Sequence, residues 1–256
     1  MVDWSGRDYA EVSGLQRAMI VDALADLEVE PGERVLDIGC GDGYLTRIIA
    51  ERLAGGLAVG VDASPRMVAT ADAGVDRGPD EPRYVAADAR ALPFTAAFDV
   101  AVSFNALHWV PRQDEALAQI AAALTPAGRA TIQVVCAGPR RSLESVAMDV
   151  AASGRWRRWF DGFEPPFVHV DPDAFGDLAR SAGLTVRRLS VTDREWDFGS
   201  RDDFLRWCAV GCTAWTDRLD GADREQFVTD LVDAYEPVAG RPGLFRFTQM
   251  RAELKR

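Results

Sequence analysis

The chain has 256 residues, 48% of them hydrophobic, and a formal net charge of −11. That length and composition suit one large domain with a substantial core and exclude a disordered polypeptide. The acidic balance excludes a nucleic-acid backbone as the main partner, because phosphate binding needs a basic face.

The opening stretch MVDWSGRDY shows no basic region followed by an apolar run, so no signal peptide is expected there. No uninterrupted apolar run approaches the length of a membrane span. The expectation is a cytoplasmic protein, monomer or homodimer, with no membrane partner and with Cys40, Cys136, Cys208 and Cys212 as reduced thiols.

Residues 14–28 place Leu15, Met19, Leu24 and Leu27 at helical spacing, and Pro31-Gly32 ends that helix. RVLDI at 34–38 reads as a short buried strand, followed by a helix from Tyr44 to Leu53 and a second strand at 57–62. Ser64 can cap the next helix, with Pro65 in its first position. Further strands fit at 83–86, 98–103 and 129–135, with a helix at 112–124 stopped by Thr125-Pro126-Ala127-Gly128. This alternation implies an α/β fold with a parallel sheet covered on both faces. Beyond it, 139–182 reads as largely helical with a break at Glu164-Pro165-Pro166, and 201–235 reads as two helices. Residues 184–191 and 244–254 alternate like strands, the second closing the sheet. Five of the seven tryptophans follow residue 150, which points either to a lid on an apolar pocket or to aromatics filling an ordinary core.

The densest motif is VLDIGCGDG at 35–43. Gly39, Gly41 and Gly43 bring backbone close to a ligand beyond the carboxyl end of the first strand. The dinucleotide fingerprint needs a small residue where Tyr44 stands, and the acid at Asp37 repels pyrophosphate but suits a cation.

Here the sequence resembles class I S-adenosylmethionine-dependent methyltransferases. VGVDASPRM at 59–67, VAADARALPF at 85–94, FDVAVSFNALHWV at 98–110 and LTPAGRATI at 124–132 are similar, in order, to that family's later motifs. The resemblance implies a Rossmann-like seven-stranded sheet, mostly parallel with the last strand antiparallel, helices on both faces and helical lid insertions. It implies a single domain over 1–256, with a lid at 1–30, a cofactor core at 31–136, and substrate-covering insertions at 137–183 and 193–243. S-adenosylmethionine would be the cofactor and S-adenosylhomocysteine the product. Asp37 would meet the methionine amino group, Asp62 the ribose hydroxyls, and Asp88 with Ala89 the adenine. Gly39, Cys40, Gly41, Ala63, Met67, Phe104 and Asn105 would complete the cofactor site.

For the acceptor, DYAEVSGLQ at 8–16 and ALHWV at 106–110 resemble juvenile hormone acid methyltransferases and, more loosely, trans-aconitate methyltransferases. Both act on carboxylates of small molecules. The resemblance implies that Gln16 and Trp109 hold the acceptor carboxylate. Tyr9, Trp156 and His169, the last in the Pro-rich break, are further candidates to line its pocket. A carboxylate, with a pKa of about 4.3, is already a nucleophile at neutral pH, so orientation and exclusion of water are the main requirements. His108 can serve as a base for an alcohol acceptor or stand as a structural histidine beside the cofactor, and the resemblance favours the latter. Transfer to carbon, nitrogen or hydroxyl, and cofactor binding without transfer, are the alternatives. No metal site is expected, since Cys208 and Cys212 have no clustered third and fourth ligand. WRRWF at 156–160 reads as an amphipathic lid segment rather than a nucleic-acid patch.

Overall fold

The computed structural model describes residues 14–75, 78 and 81–256. The elements run α1 Gly14–Ala25, β1 Arg34–Ile38, α2 Tyr44–Leu53, β2 Leu57–Asp62, α3 Pro65–Ala73, β3 Arg83–Ala86 and β4 Phe98–Phe104. They continue with α4 Gln113–Ala123, β5 Leu124–Val135, α5 Leu143–Ala152, α6 Pro172–Ser181, β6 Thr185–Asp197, α7 Arg201–Gly211, α8 Thr213–Thr216, α9 Gly221–Ala239 and β7 Leu244–Lys255. The seven strands form one sheet in the order β3-β2-β1-β4-β5-β7-β6. The first five pair in parallel, and β7 is antiparallel to both of its neighbours.

The short alternation of β1 sorts its side chains between two layers. Leu36 and Ile38 join a core with Val59, Val61, Ile120 and Ile132. Val35 faces the other way, onto Leu45 and Ile49 of α2 and Leu24 of α1. Asp37 follows Val35 onto the α2 face.

Two strands differ from the sequence expectation. β5 begins at Leu124, five residues early, because the fully buried Leu124 pairs with Phe98 before the register shifts ahead of Val100 and Arg129. β6 extends to Asp197 along β7, through the mostly exposed TDREWD. An edge strand with charged side chains lacks the alternation that betrays a half-buried one. The stretch expected to be largely helical contains α5, a short 3-10 turn at Arg157–Trp159, irregular chain and α6, and the stretch expected to be two helices contains three.

A third cluster of apolar side chains lies at the end of the sheet where β5 finishes. It joins Leu15 and Met19 of α1, Val135, Phe245 and Phe247 to residues of α5 and α7–α9. Trp156 belongs to it, 1% exposed, with its indole Nε1 donating to Asp230 Oδ2 at 2.8 Å. Trp156→Phe is expected to lower the unfolding free energy by about 1.5–3 kcal/mol, the scale of a hydrogen bond to a charged group. Urea denaturation checks this, and the affinity for S-adenosylhomocysteine should stay unchanged because the ring lies outside the cavity described next.

Candidate active site

At the end of β1 the chain must turn without a side chain. Gly39 takes φ 75°, and a Cβ there would stand 2.1 Å from the Cβ of Ala106, in the loop after β4. The amides of Gly39 and Cys40 both donate to the carbonyl of Val61, at 2.7 and 3.0 Å, tying the turn to β2. Gly41, at φ 54°, faces open space, so its requirement is conformational.

Asp62, at the end of β2, accepts from the Gly41 amide at 3.0 Å through one oxygen and from the Ser64 amide at 2.8 Å through the other. Asp88 is clasped by Arg90, whose Nε lies 3.0 Å from Oδ1 and whose Nη2 lies 2.6 Å from Oδ2. That guanidinium holds the Asp88 carboxyl below its usual range.

Asp37 is buried behind the turn. Thr46 Oγ1 donates to its Oδ2 at 2.7 Å. Burial pushes its pKa up to about 7, with Asp62 adding repulsion and Thr46 opposing.

The loop after β4 carries a 3-10 turn, Leu107–Trp109, and a buried glutamine fixes what covers it. Gln113 Nε2 donates to the carbonyls of Leu107 (3.1 Å) and Val168 (2.9 Å), while the Val168 amide donates to the His108 carbonyl at 2.8 Å. This clamps the Pro-rich segment over the turn and sets the His169 ring 6.2 Å from that of His108. Burial, reinforced by His169, pushes His108 down to about 3, so its ring is neutral.

These loops open on one cavity of about 470 Å³. At one end its wall is Gly39, Gly41, Asp62, Ala63 and Met67, continued by Asp88, Ala89 and Asn105. At the other it passes His108 and Trp109 to Trp207, Trp215, Phe245 and Phe247. Cys40 and Phe104 instead flank a smaller cleft of about 80 Å³ beside it. Asp37, Trp156 and His169 do not line the cavity. Tyr9 lies outside the described residues, as does the side chain of Gln16. Residues 14–75, 78 and 81–256 hold no cluster of three metal-binding side chains and no helix long and apolar enough to cross a membrane.

Residues 35–128 match a family model described as a methyltransferase domain. A trans-aconitate 2-methyltransferase of Streptomyces avermitilis is 29% identical over 97% of this chain and 95% of its own length. Residues 35–128 are thus a methyltransferase domain, of the class I S-adenosylmethionine-dependent kind.

The similarity is uneven along that domain and its flanks. A trans-aconitate 2-methyltransferase of Mycobacterium tuberculosis is 34% identical, but the match spans 51% of this chain and only about half, 48%, of that relative. The YcgJ protein of Bacillus subtilis shares the fold, with a TM-score of 0.66 and 20% identity over 94% of this chain and 98% of that one. S-adenosylmethionine is the cofactor of such a domain and S-adenosylhomocysteine its product. The cavity fits that group: the glycine turn leaves Gly41 open toward it, and a carboxylate stands at the end of β2.

Residues that sequence reasoning missed are Glu144, Arg90, Trp207 and Trp215. The two tryptophans were part of the aromatic-rich half, but nothing in their spacing distinguishes a cavity wall from a core. Glu144, in the first turn of α5, reads in sequence as an acid favoured by the helix dipole.

The raised pKa of Asp37 has a thermodynamic sign. A carboxyl that holds its proton more tightly when folded contributes stability below about pH 4 and loses it as pH rises to about 7. Asp37→Asn is expected to remove that loss. Its melting temperature, measured without ligand, should gain on the native chain between pH 4 and pH 7, and a constant difference would mean an ordinary carboxyl.

Proposed function

We propose that the chain transfers a methyl group from S-adenosylmethionine to a carboxylate oxygen of a small, partly apolar acid. The observation that carries this is the setting of His108, buried in the cavity wall with no hydrogen-bond partner among the described residues on Nδ1 to orient it as a base. Burial also holds its conjugate acid well below the usual range, which weakens it as a base for an alcohol, whereas an acid brings no proton to remove. The relatives named trans-aconitate 2-methyltransferase support the same acceptor group.

The bound cofactor supplies an activated methyl on a sulfonium. Asp62 would hold its ribose, Asp88 and Ala89 its adenine, and the turn at Gly39–Gly41 its methionine end. Asp37 would meet the methionine amino group from behind that turn. Trp109, with Gln16, would orient the acceptor carboxylate. The aromatic wall would exclude water, leaving alignment as the main catalytic contribution. Residues 137–183 and 193–243 would serve as the acceptor cover, and residues 1–30 as a further lid. A cytoplasmic setting with reduced thiols completes the reading, since all four cysteines are free and buried.

Incubation with methyl-labelled cofactor and a panel of aliphatic, isoprenoid and aromatic acids tests the acceptor. The expected product releases its label as methanol in mild alkali. An alkali-stable product would move the acceptor to carbon, nitrogen or an ether oxygen. Asp62→Ala is expected to weaken S-adenosylhomocysteine binding by about tenfold or more, measured by calorimetry, in line with the loss of hydrogen bonds to a charged group. An unchanged affinity would refute the ribose assignment.

A further inference from the structure

Methyl transfer to a carboxylate leaves one acid of the cavity wall without a task. Glu144 is 8% exposed and lines the cavity among Val135, Leu143, Trp215 and Phe247. Among the described residues no donor hydrogen-bonds its side chain. His169 faces it, with Nε2 3.8 Å from Glu144 Oε2, beyond hydrogen-bond reach, and Cys208 and Tyr235 are the other titratable groups that sense its charge. His169 Nε2 is itself buried without a hydrogen-bond partner. Burial pushes the His169 pKa down against the pull of Glu144, which keeps that ring neutral.

A carboxylate in an apolar wall is costly unless donors reach it. Here the position is fixed from the helix side. Ser142 caps α5 by accepting from the Ser145 amide at 3.1 Å, and the positive end of the helix favours an anion in its first turn. The wall therefore presents a fixed acceptor of hydrogen bonds, edged by aromatic rings, to whatever occupies this half of the cavity.

From this geometry we infer that Glu144, backed by His169, is a subsite for a hydrogen-bond-donating group, a hydroxyl or an amine, borne by the same acid whose carboxylate receives the methyl. This rests on the carboxyl reading above and narrows it. The acceptor is an apolar-bodied acid with a donor at a second position. A second carboxylate meets a like charge at Glu144 and is disfavoured. Polycarboxylic acids such as trans-aconitate fit this wall poorly.

The test compares octanoate, its ω-hydroxy derivative, octanedioate and trans-aconitate as acceptors for the native chain, Glu144→Gln and Glu144→Asp. S-adenosylhomocysteine binding verifies that each variant is folded. In the native chain, kcat/KM for the hydroxy acid should exceed that for octanedioate by about tenfold or more. Glu144→Gln should bring the two within about twofold, losing on the hydroxy acid and gaining on the diacid, while Glu144→Asp keeps the native order. A native chain that uses the diacids as well as the hydroxy acid, or a ratio that Glu144→Gln leaves unchanged, overturns the inference. If no acid is esterified, the carboxyl reading fails and the subsite is judged by melting temperature with S-adenosylhomocysteine present. A rise with the hydroxy acid in the native chain and none in Glu144→Gln supports it. Equal shifts, or none in either, overturn it.

Discussion

The site depends on how closely two loops approach at the end of the sheet. Gly39 stands where any Cβ would collide with Ala106, and both its amide and that of Cys40 are spent on the carbonyl of Val61. This contact locks the ends of β1, β2 and β4 together. The Asp62 carboxylate, the Gly41 backbone and the Trp109 ring inherit their relative positions from it. A larger residue at 39 would move the turn, and with it every group that follows.

The second organising element is a buried amide. Gln113 bridges the turn after β4 to the Pro-rich segment far along the chain, and so joins the regular half of the molecule to the irregular one. The neutral state of His108 follows from this closure, because the ring lies in a wall sealed by that segment. The aromatic half has a double use. Trp156 and Phe227 pack as core, whereas Trp207 and Trp215 face the cavity.

Much of the cofactor half was legible in the sequence, for a physical reason. Buried parallel strands need continuous apolar runs, and a tight turn with positive φ needs glycine, so RVLDI and the glycines behind it announce themselves. The wall residues at 62, 88 and 109 sit at the end of β2 and in the loops that follow β3 and β4, where topology puts ligands. The placement of Asp37 was not legible. The two-residue alternation of β1 turns it onto the α2 face, where Thr46 satisfies it. The aromatic end of the cavity was not legible in detail. Its walls come from α5, α7, α8 and β7, brought together by long-range packing that leaves no local pattern. Glu144 is one acid among forty Asp and Glu residues, and only the fold distinguishes it.

The placement of β7 carries a consequence for assembly of the molecule. This strand comes last in chain order but lies between β5 and β6, and its Phe245 and Phe247 line the aromatic end of the cavity. The glycine-turn end is built on β1 to β5 and can close around parallel pairings made early. The aromatic end must wait, with β5 and β6 each presenting an unpaired edge, until residues 244–255 emerge from the ribosome and slot between them. During synthesis, the aromatic end of the cavity therefore closes after the glycine-turn end is in place. The interval before it is when the nascent chain is most exposed to pairing with a neighbour.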